Sequence, residues 1–176
     1  MAIGNAFNFR QWIDEHRHLL KPPVGNKIVW EDTDIMVMVV GGPNIRKDFH
    51  INPTEEFYYQ LEGNMTLRIR EDGTVRDIPI NEGDIFLLPP HVPHSPQRPA
   101  NTVGLVIERR RPEGEHDHVR WYCEKCGEIL HDPHFYLTNL GTQLKPVIQE
   151  FIQNEALRTC KHCGAKMEIP PPPKAT

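Results

Sequence analysis

The sequence lacks any long apolar run. No stretch approaches the ~18 consecutive apolar residues that a membrane-spanning helix needs. The N-terminal region also has no unbroken apolar segment of the kind that forms the centre of a secretory signal. We therefore expect a cytoplasmic protein with no membrane partner.

An excess of positive charge is also absent. The 176 residues contain 20 Lys and Arg against 24 Asp and Glu, which gives a formal net charge of -4. A protein that grips nucleic acid or an anionic membrane needs the opposite balance. Hydrophobic residues make up 38% of the chain and charged residues 25%, which is enough apolar material for a packed core. Composition therefore predicts a globular protein that does not bind nucleic acid.

Cysteine is scarce, and its four occurrences form two Cys-x-x-Cys-Gly hairpins. The four are Cys123, Cys126, Cys160 and Cys163. Because cytosolic thiols are normally reduced, such a set indicates a metal site rather than disulfides. A glycine behind each pair lets the chain turn tightly, and two hairpins can form a tetrahedral four-thiolate site that suits iron or zinc equally. We expect this metal to stabilise the C-terminal region rather than to take part in catalysis.

Proline is the residue in excess, with 17 of 176 positions against a usual ~5%. Because proline interrupts helices and central strands, this frequency excludes a helical bundle and favours short strands joined by stiff turns. Between residues 27 and 111, apolar or alternating segments such as Ile35–Val40 and Met65–Arg70 are separated by turns rich in glycine, asparagine and aspartate. The pattern predicts a mainly β protein, either an antiparallel sandwich or a barrel.

Two helical patterns flank the strands. Asn8 precedes an amphipathic segment, and Gln11 follows three residues later as in a capping box. A second helix is expected from about Thr142 to Leu157, where apolar residues recur at helical spacing. A polar linker near residues 112–114, before the second helix, divides the chain. We expect a barrel domain with the N-terminal helix over residues 1–115, and a four-cysteine extension with a flexible proline-rich tail over residues 116–176.

Two segments of the strand region carry residue types that bind metals. One has the pattern Gly-x7-His-x-Asn-x3-Glu-x6-Gly and spans residues 42–63; the other has the pattern Gly-x5-Pro-x-His-x2-His-x3-Arg and spans residues 83–98. Because side chains alternate along a strand, Glu56, Tyr58 and Gln60 share one face. A polar face of this kind indicates a site inside the barrel.

These segments resemble the paired signature motifs of the cupin superfamily, which supply metal ligands to the interior of a small jelly-roll β-barrel. In the usual first motif two histidines flank a single residue, and here Asn52 replaces the second of them. The resemblance therefore implies His50, Glu56 and His94 as ligands. Two histidines and one carboxylate leave about three open positions on an octahedral metal, which suits non-haem Fe(II) and O2. Glu55 also carries a carboxylate, but it falls on the opposite face of the strand.

A closer resemblance covers nearly the whole chain. FNFRQWIDEH, LLKPPVGN, EEFYYQLEGNM, EGDIFLLPPHVPHSPQRP, WYCEKCG and CKHCG resemble the 3-hydroxyanthranilate 3,4-dioxygenase family. Members use Fe(II) and O2 to open the ring of 3-hydroxyanthranilate, giving 2-amino-3-carboxymuconate semialdehyde. That product cyclises without an enzyme to quinolinate, a precursor of NAD, in the kynurenine pathway of tryptophan breakdown. Bacterial members carry a rubredoxin-like second metal site on four cysteines, and the resemblance also suggests a homodimer.

The same resemblance implies roles for three further residues. Arg98 would hold the substrate carboxylate, Glu108 would contact its amino or hydroxyl group and act as the base, and Arg46 would lie beside O2. General chemistry agrees for Arg98, since a guanidinium pairs with a carboxylate through two hydrogen bonds. From the residues alone, Glu108 is either a solvated residue at the strand exit or a residue that faces the pocket. Arg46 alone would be taken for a surface residue.

Two rival classes of function are compatible with parts of this pattern. One is a cupin isomerase or a dioxygenase with another substrate, because one fold hosts many chemistries. The other is a regulator that joins a ligand-sensing barrel to a zinc ribbon. A ribbon that binds nucleic acid needs basic flanks, whereas Glu124 and Glu128 flank the first cysteine pair. The sequence therefore favours the dioxygenase.

Overall fold

Short antiparallel strands make up most of the structure, as the proline-rich, turn-rich pattern predicts. The computed structural model describes residues 4–22, 25–30, 33–138 and 140–169. Their strands are β1 (Asn26–Ile28), β2 (Ile35–Gly41), β3 (Phe49–Ile51), β4 (Glu56–Glu62), β5 (Met65–Glu71), β6 (Thr74–Ile80), β7 (Ile85–Leu88), β8 (His94–Gln97), β9 (Val103–Arg109), β10 (Asp117–Tyr122), β11 (Ile129–His131) and β12 (His134–Phe135). The helices are α1 (Phe9–His16), α2 (Leu140–Gln153) and α3 (Glu155–Arg158).

Two antiparallel sheets pack face to face and form the barrel. The first has the order β1-β2-β9-β4-β7, and the second has the order β11-β10-β3-β8-β5-β6 with β12 paired to β10. Apolar side chains from both sheets fill the space between them: Met36, Met38, Tyr58, Met65, Leu67, Ile69, Ile80, Leu88 and Val106. The predicted cupin-type antiparallel barrel, with its N-terminal helix and its C-terminal cysteine cluster, is confirmed.

The alternation predicted for β4 is what brings polar groups into the barrel. Glu56, Tyr58 and Gln60 are buried, while Tyr59, on the other face, is exposed. Alternation of this kind follows from the two-residue period of a strand. One face of β4 therefore supplies two polar side chains and a tyrosine to the interior.

The N-terminal helix begins where the sequence predicts. The side chain of Asn8 accepts a hydrogen bond from the backbone N–H of Gln11 at 3.0 Å. The Gln11 side chain donates to Glu15 at 2.9 Å instead of returning to Asn8, so only half of the capping box forms. Ile13 packs with Leu20 against the first sheet, which holds α1 on the outside of the barrel.

The second predicted helix is interrupted, so the expectation of one continuous helix from Thr142 to Leu157 was wrong. α2 ends at Gln153, and the side chain of Asn154 then accepts a hydrogen bond from the backbone N–H of Ala156 at 3.1 Å, which caps α3. Asparagine competes with the helical backbone in this way and favours a cap over a helix interior.

A second, smaller core joins the cysteine-bearing region to the barrel. Trp121 of β10 stacks on Phe151 of α2, with ring centroids 4.2 Å apart. The same strand pairs with β3 of the barrel, with Val119 opposite His50. β10 therefore contributes to the second core and joins it to the barrel sheet through its pairing with β3. The predicted proline-rich tail lies outside the described residues, and the described helices include none that is long and apolar enough to cross a bilayer.

Candidate active site

Three strands bring the predicted ligand set together inside the barrel. His50 comes from β3, Glu56 from β4 and His94 from β8, and all three side chains are buried. One potential ligand atom from each lies within 4.8 Å of the other two. His50 stands directly opposite His94 in the β3–β8 pair, and the Nε2 atom of His94 is 3.0 Å from an oxygen of Glu56. Glu55, the competing carboxylate, is exposed.

Hydrogen bonds to the outer nitrogens orient both imidazoles. The Nδ1 atom of His94 is 2.9 Å from the carbonyl oxygen of Val92, so Nε2 is turned towards Glu56. The Nε2 atom of His50 is 2.5 Å from the Oδ2 atom of Asp117, which leaves Nδ1 as its free nitrogen. Such partners fix the tautomer and the ring orientation of a metal-binding histidine.

The electrostatics of the three side chains suit a divalent cation. Burial alone would raise the pKa of Glu56, but the facing His94 and His50 rings lower it to about 2. Burial lowers the pKa of His50 and favours its neutral form. For His94, the attraction of Glu56 outweighs burial, so its pKa is raised and the two form an ion pair. A metal ion would take the place of the proton in that pair, since metal ligands must be deprotonated.

Two buried polar atoms beside the triad have no hydrogen-bond partner among the described residues. They are Oδ1 of Asn52 and Oε1 of Glu108. An unpartnered buried polar atom costs free energy unless a ligand or water satisfies it. The site therefore fits a metal with open coordination positions, such as Fe(II): two imidazoles and a carboxylate can hold the ion, and the two unpartnered oxygens can accept hydrogen bonds from a further ligand.

Asn52, which stands where the cupin motif usually has a histidine, connects two carboxylates. Its Nδ2 atom donates to Glu108 at 3.1 Å and lies 3.4 Å from Glu56. Glu108 is directly opposite Glu56 in the β4–β9 pair and is only 2% exposed, so it faces the interior and not the solvent. Burial, reinforced by the charge of Glu56, raises the pKa of Glu108 to about 7. A carboxyl group with such a pKa can accept a proton near neutral pH.

Arg98 places a positive charge deep inside the same barrel. It is 1% exposed, and its Nη1 atom donates to the side-chain oxygen of Gln60 at 3.0 Å. No carboxylate of the described chain forms a salt bridge with it, and burial lowers its pKa to about 10. Gly104 makes room for it, because a Cβ atom there would lie 2.6 Å from Nη1. A buried cation without an anionic partner is suited to a substrate carboxylate.

Unlike Arg98, Arg46 has a carboxylate partner among the described residues. Its Nε atom donates to Asp48 at 2.9 Å, and Asp48 itself is buried. Burial opposes the charge of Arg46, but Asp48, and more weakly Tyr58 and Glu56, raise its pKa. Arg46 therefore stands close enough to the triad to act on its charge, while its own charge is already compensated by a residue that the sequence analysis did not single out.

Sequence reasoning also missed Asp117 and Arg111. Both are buried, and Nη2 of Arg111 donates to Asp117 at 2.6 Å and lies 3.0 Å from Glu108. They stand on either side of the polar segment at residues 112–116, and the sequence analysis assigned neither of them a role. The available signal was a lone Asp at the head of the apolar alternation that runs through Val119 and Trp121.

The four cysteines also meet, at the surface. Their sulfur atoms lie within 4.8 Å of one another, and no disulfide joins them. Gly127 and Gly164, with φ of 79° and 71°, allow each hairpin to turn back so that its glycine N–H donates to the carbonyl of its first cysteine. Burial opposes the thiolate of Cys123, yet nearby backbone N–H groups lower its pKa to about 7. The arrangement is that of a closed four-sulfur metal site.

Comparison with known proteins identifies the family. The model of the 3-hydroxyanthranilic acid dioxygenase family matches residues 1–152. The chain belongs to this family. A 3-hydroxyanthranilate 3,4-dioxygenase from Ruegeria pomeroyi is 58% identical over 165 residues, which are 93% of this chain and 92% of that protein. One from Neurospora crassa is 49% identical over 97% of this chain and 94% of that protein.

Other comparisons add a further relative of this dioxygenase family. A 3-hydroxyanthranilate 3,4-dioxygenase from Shewanella woodyi is 59% identical over 90% of this chain and 85% of that protein. Among solved structures, a cupin-2 domain containing protein from Shewanella frigidimarina covers 60% of this chain and 95% of its own, with 19% identity and a TM-score of 0.48. The resemblance seen in the sequence to the 3-hydroxyanthranilate dioxygenases is thereby confirmed.

Proposed function

We propose that this chain is a dioxygenase that opens the ring of 3-hydroxyanthranilate with O2, and that His50, Glu56 and His94 hold the Fe(II) on which the reaction depends. The product is 2-amino-3-carboxymuconate semialdehyde, which leads to quinolinate for NAD biosynthesis. Family membership together with the buried two-histidine, one-carboxylate set carries this proposal. When bound, Fe(II) supplies open positions at which the substrate's adjacent amino and hydroxyl groups and O2 come together.

The protein's own side chains orient the substrate and move its proton. Arg98 pairs with the substrate carboxylate, because its buried charge has only Gln60 as a side-chain partner among the described residues. This contact turns the amino and hydroxyl groups towards the triad. Glu108 accepts the hydroxyl proton, since its free Oε1 atom and its pKa of about 7 provide an acceptor in the interior. Arg46 borders the O2 side, with its charge held in place by Asp48.

A ring-cleavage assay tests the function. Fe(II)-loaded protein mixed with 3-hydroxyanthranilate under anaerobic conditions should leave the substrate intact, and admission of O2 should produce the yellow semialdehyde. Anaerobic optical spectra with a series of aromatic acids should change most with 3-hydroxyanthranilate. Absence of the yellow product, or a larger response to another acid, would refute the assignment.

For the four-cysteine site we propose an iron or zinc ion with a structural role. The four sulfurs would complete the coordination sphere of a tetrahedral ion and would leave no position for a substrate. We also propose the division into residues 1–115 and 116–176, with β10 as the strand by which the extension is built into the barrel sheet. Metal analysis of the purified protein, before and after chelation, distinguishes the two ions.

We further propose a cytoplasmic homodimer that associates through the outer face of the first sheet. On that face Tyr59 lies opposite Ile85, and the latter is 67% exposed. Leu87, 58% exposed, extends the same apolar strip along β7 at the sheet edge. Exposed apolar strips of this kind mark protein interfaces, and a second copy covers such an edge symmetrically. Light scattering should give a dimer for the wild type and a monomer for Leu87→Lys; a monomeric wild type would refute this proposal.

A further inference from the structure

Asp117 is the most completely buried acidic residue next to the triad. It is 0% exposed, and its Oδ2 atom lies 2.5 Å from the Nε2 atom of His50. Its contact within the ligand set is with His50, and it does not belong to the group of mutually close ligand atoms that His50, Glu56 and His94 form among the described residues. A carboxylate in this place can act on the metal site through the imidazole of His50.

Arg111 holds that carboxylate in place. Its Nε atom donates to one oxygen of Asp117 and its Nη2 atom to the other, the latter at 2.6 Å. The same Nη2 atom lies 3.0 Å from Glu108. Arg111 is itself only 4% exposed. Because a guanidinium is planar and always charged, it fixes the orientation of both carboxylates at once.

Strand pairing explains why this contact is well defined. β10 pairs with β3, and Val119 is directly opposite His50, two residues after Asp117. The register between the two strands therefore determines the distance from the carboxylate to the ring. Because His50 and Asp117 both lie in these paired strands, the fold sets the geometry of their contact before a metal binds.

We propose that Asp117 is a positioning residue for the metal site. It accepts the Nε2–H hydrogen bond of His50, so that the Nδ1 lone pair of the ring is directed at the metal, and Arg111 extends the same fixed geometry to the base Glu108. This inference rests on the proposed Fe(II) site. Carboxylates behind metal-binding histidines act in this way, and their loss typically weakens metal binding about 10–100-fold.

The alternative is that Asp117 serves only to neutralise Arg111 within the fold. In that case, removal of its charge would change the free energy of unfolding but not the affinity of the barrel for a metal in protein that remains folded. Metal affinity and the tautomer of His50 therefore distinguish the two roles, whereas loss of activity alone would not.

The first experiment compares Asp117→Asn with a matched control, Asp132→Asn. Asp132 also accepts from a histidine and an arginine, His118 at 3.0 Å and Arg120 at 2.7 Å, but it is partly exposed and outside the barrel. Full-length protein with Zn(II) retained on the cysteines is titrated with Co(II), and the ligand-field bands report on the barrel site. We expect Asp117→Asn to weaken Co(II) binding about 10–100-fold and Asp132→Asn to leave it within twofold of wild type.

Each outcome decides the matter. Unchanged affinity in Asp117→Asn, or an equal loss in Asp132→Asn, overturns the proposal. Asp117→Glu, which keeps the charge and can still accept from the ring, should recover part of the affinity. If the wild type bound no Co(II) in the barrel, the proposed Fe(II) site itself would be refuted, and the role of Asp117 with it. If the wild type binds Co(II) and His94→Ala does not, the site exists, and the result for Asp117→Asn then tests the role of Asp117 alone.

A second measurement needs no substitution at Asp117 and remains informative if that variant does not fold. Wild-type protein with nitrogen-15-labelled histidines and no metal in the barrel site is studied by NMR, which gives the protonation of each ring nitrogen. The signals of His50 are assigned by comparison with His50→Gln. The proposal requires the proton on Nε2 and an unprotonated Nδ1. A proton on Nδ1 with a bare Nε2 would contradict it directly.

Discussion

The barrel site and the cysteine site differ in how far apart their ligands lie in the sequence and in how much of the coordination sphere the protein fills. The barrel set comes from three strands of both sheets and has unpartnered polar atoms beside it, among them Oδ1 of Asn52. The cysteine set comes from two local hairpins and consists of four sulfurs. An open site needs the whole fold to assemble it, whereas a closed site needs only two short motifs. We therefore expect changes in the barrel to affect catalysis and changes at the cysteines to affect stability.

The largest effect should come from removal of a barrel ligand. His94→Ala takes away one of three ligands, and we expect it to abolish measurable ring cleavage while the cysteine site keeps its metal. A suitable control is His91→Asn, because His91 is exposed and asparagine tolerates its positive φ of 63°. Activity and metal content per chain are the measurements. Substantial turnover by His94→Ala would contradict the ligand assignment.

Removal of the positive charge of Arg98 should reduce activity, and the size of the loss should depend on whether the substrate has a carboxylate. Arg98→Met removes a charged hydrogen-bond donor to the carboxylate, a contact of about 1.5–3 kcal/mol, so kcat/KM for 3-hydroxyanthranilate should fall roughly 10–150-fold. For 2-aminophenol, which lacks the carboxylate, wild type and variant should differ little. An equal loss for both compounds would mean that Arg98 supports the barrel and does not bind the substrate.

The pH dependence of the reaction should report on Glu108. Its raised pKa means that this carboxyl is protonated below about pH 7 and cannot accept the substrate proton there. We therefore expect kcat/KM to rise with pH through about 7 in the wild type and to lose this limb in Glu108→Gln, whose residual rate is low at all pH values. A variant that retains the same limb would assign it to another group.

The smallest effect on catalysis should come from the cysteine site. Cys126→Ser removes one sulfur ligand and should lower the melting temperature and the metal content by one ion per chain. Turnover per bound barrel metal should stay within twofold of wild type, because the sulfur cluster shares no ligand with the triad. Complete loss of ring cleavage in folded Cys126→Ser protein would show that the two sites are functionally coupled.

Sequence reasoning was most successful where the information is local. The cysteine hairpins and the shared face of Glu56 and Gln60 appear in the structure as expected. The structure also brings together His50, Glu56 and His94, and their role as metal ligands, which the family resemblance implies, stays a prediction. Asp117 was missed because it reaches His50 only through the pairing of β10 with β3, across 67 positions of sequence. The break at Asn154 was missed because apolar spacing continues through it, and only the side-chain cap ends the helix.

Stepwise removal of metal tests the contrast between the two sites most directly. Holoprotein is treated with a chelator, and the metal remaining at each site is followed together with ring-cleavage activity. We expect activity to fall in proportion to metal lost from the barrel and to reach zero while the cysteine site is still occupied, and to return when Fe(II) is added back. Activity that persists after the barrel is empty, or that falls in step with the metal at the cysteines, would contradict the account.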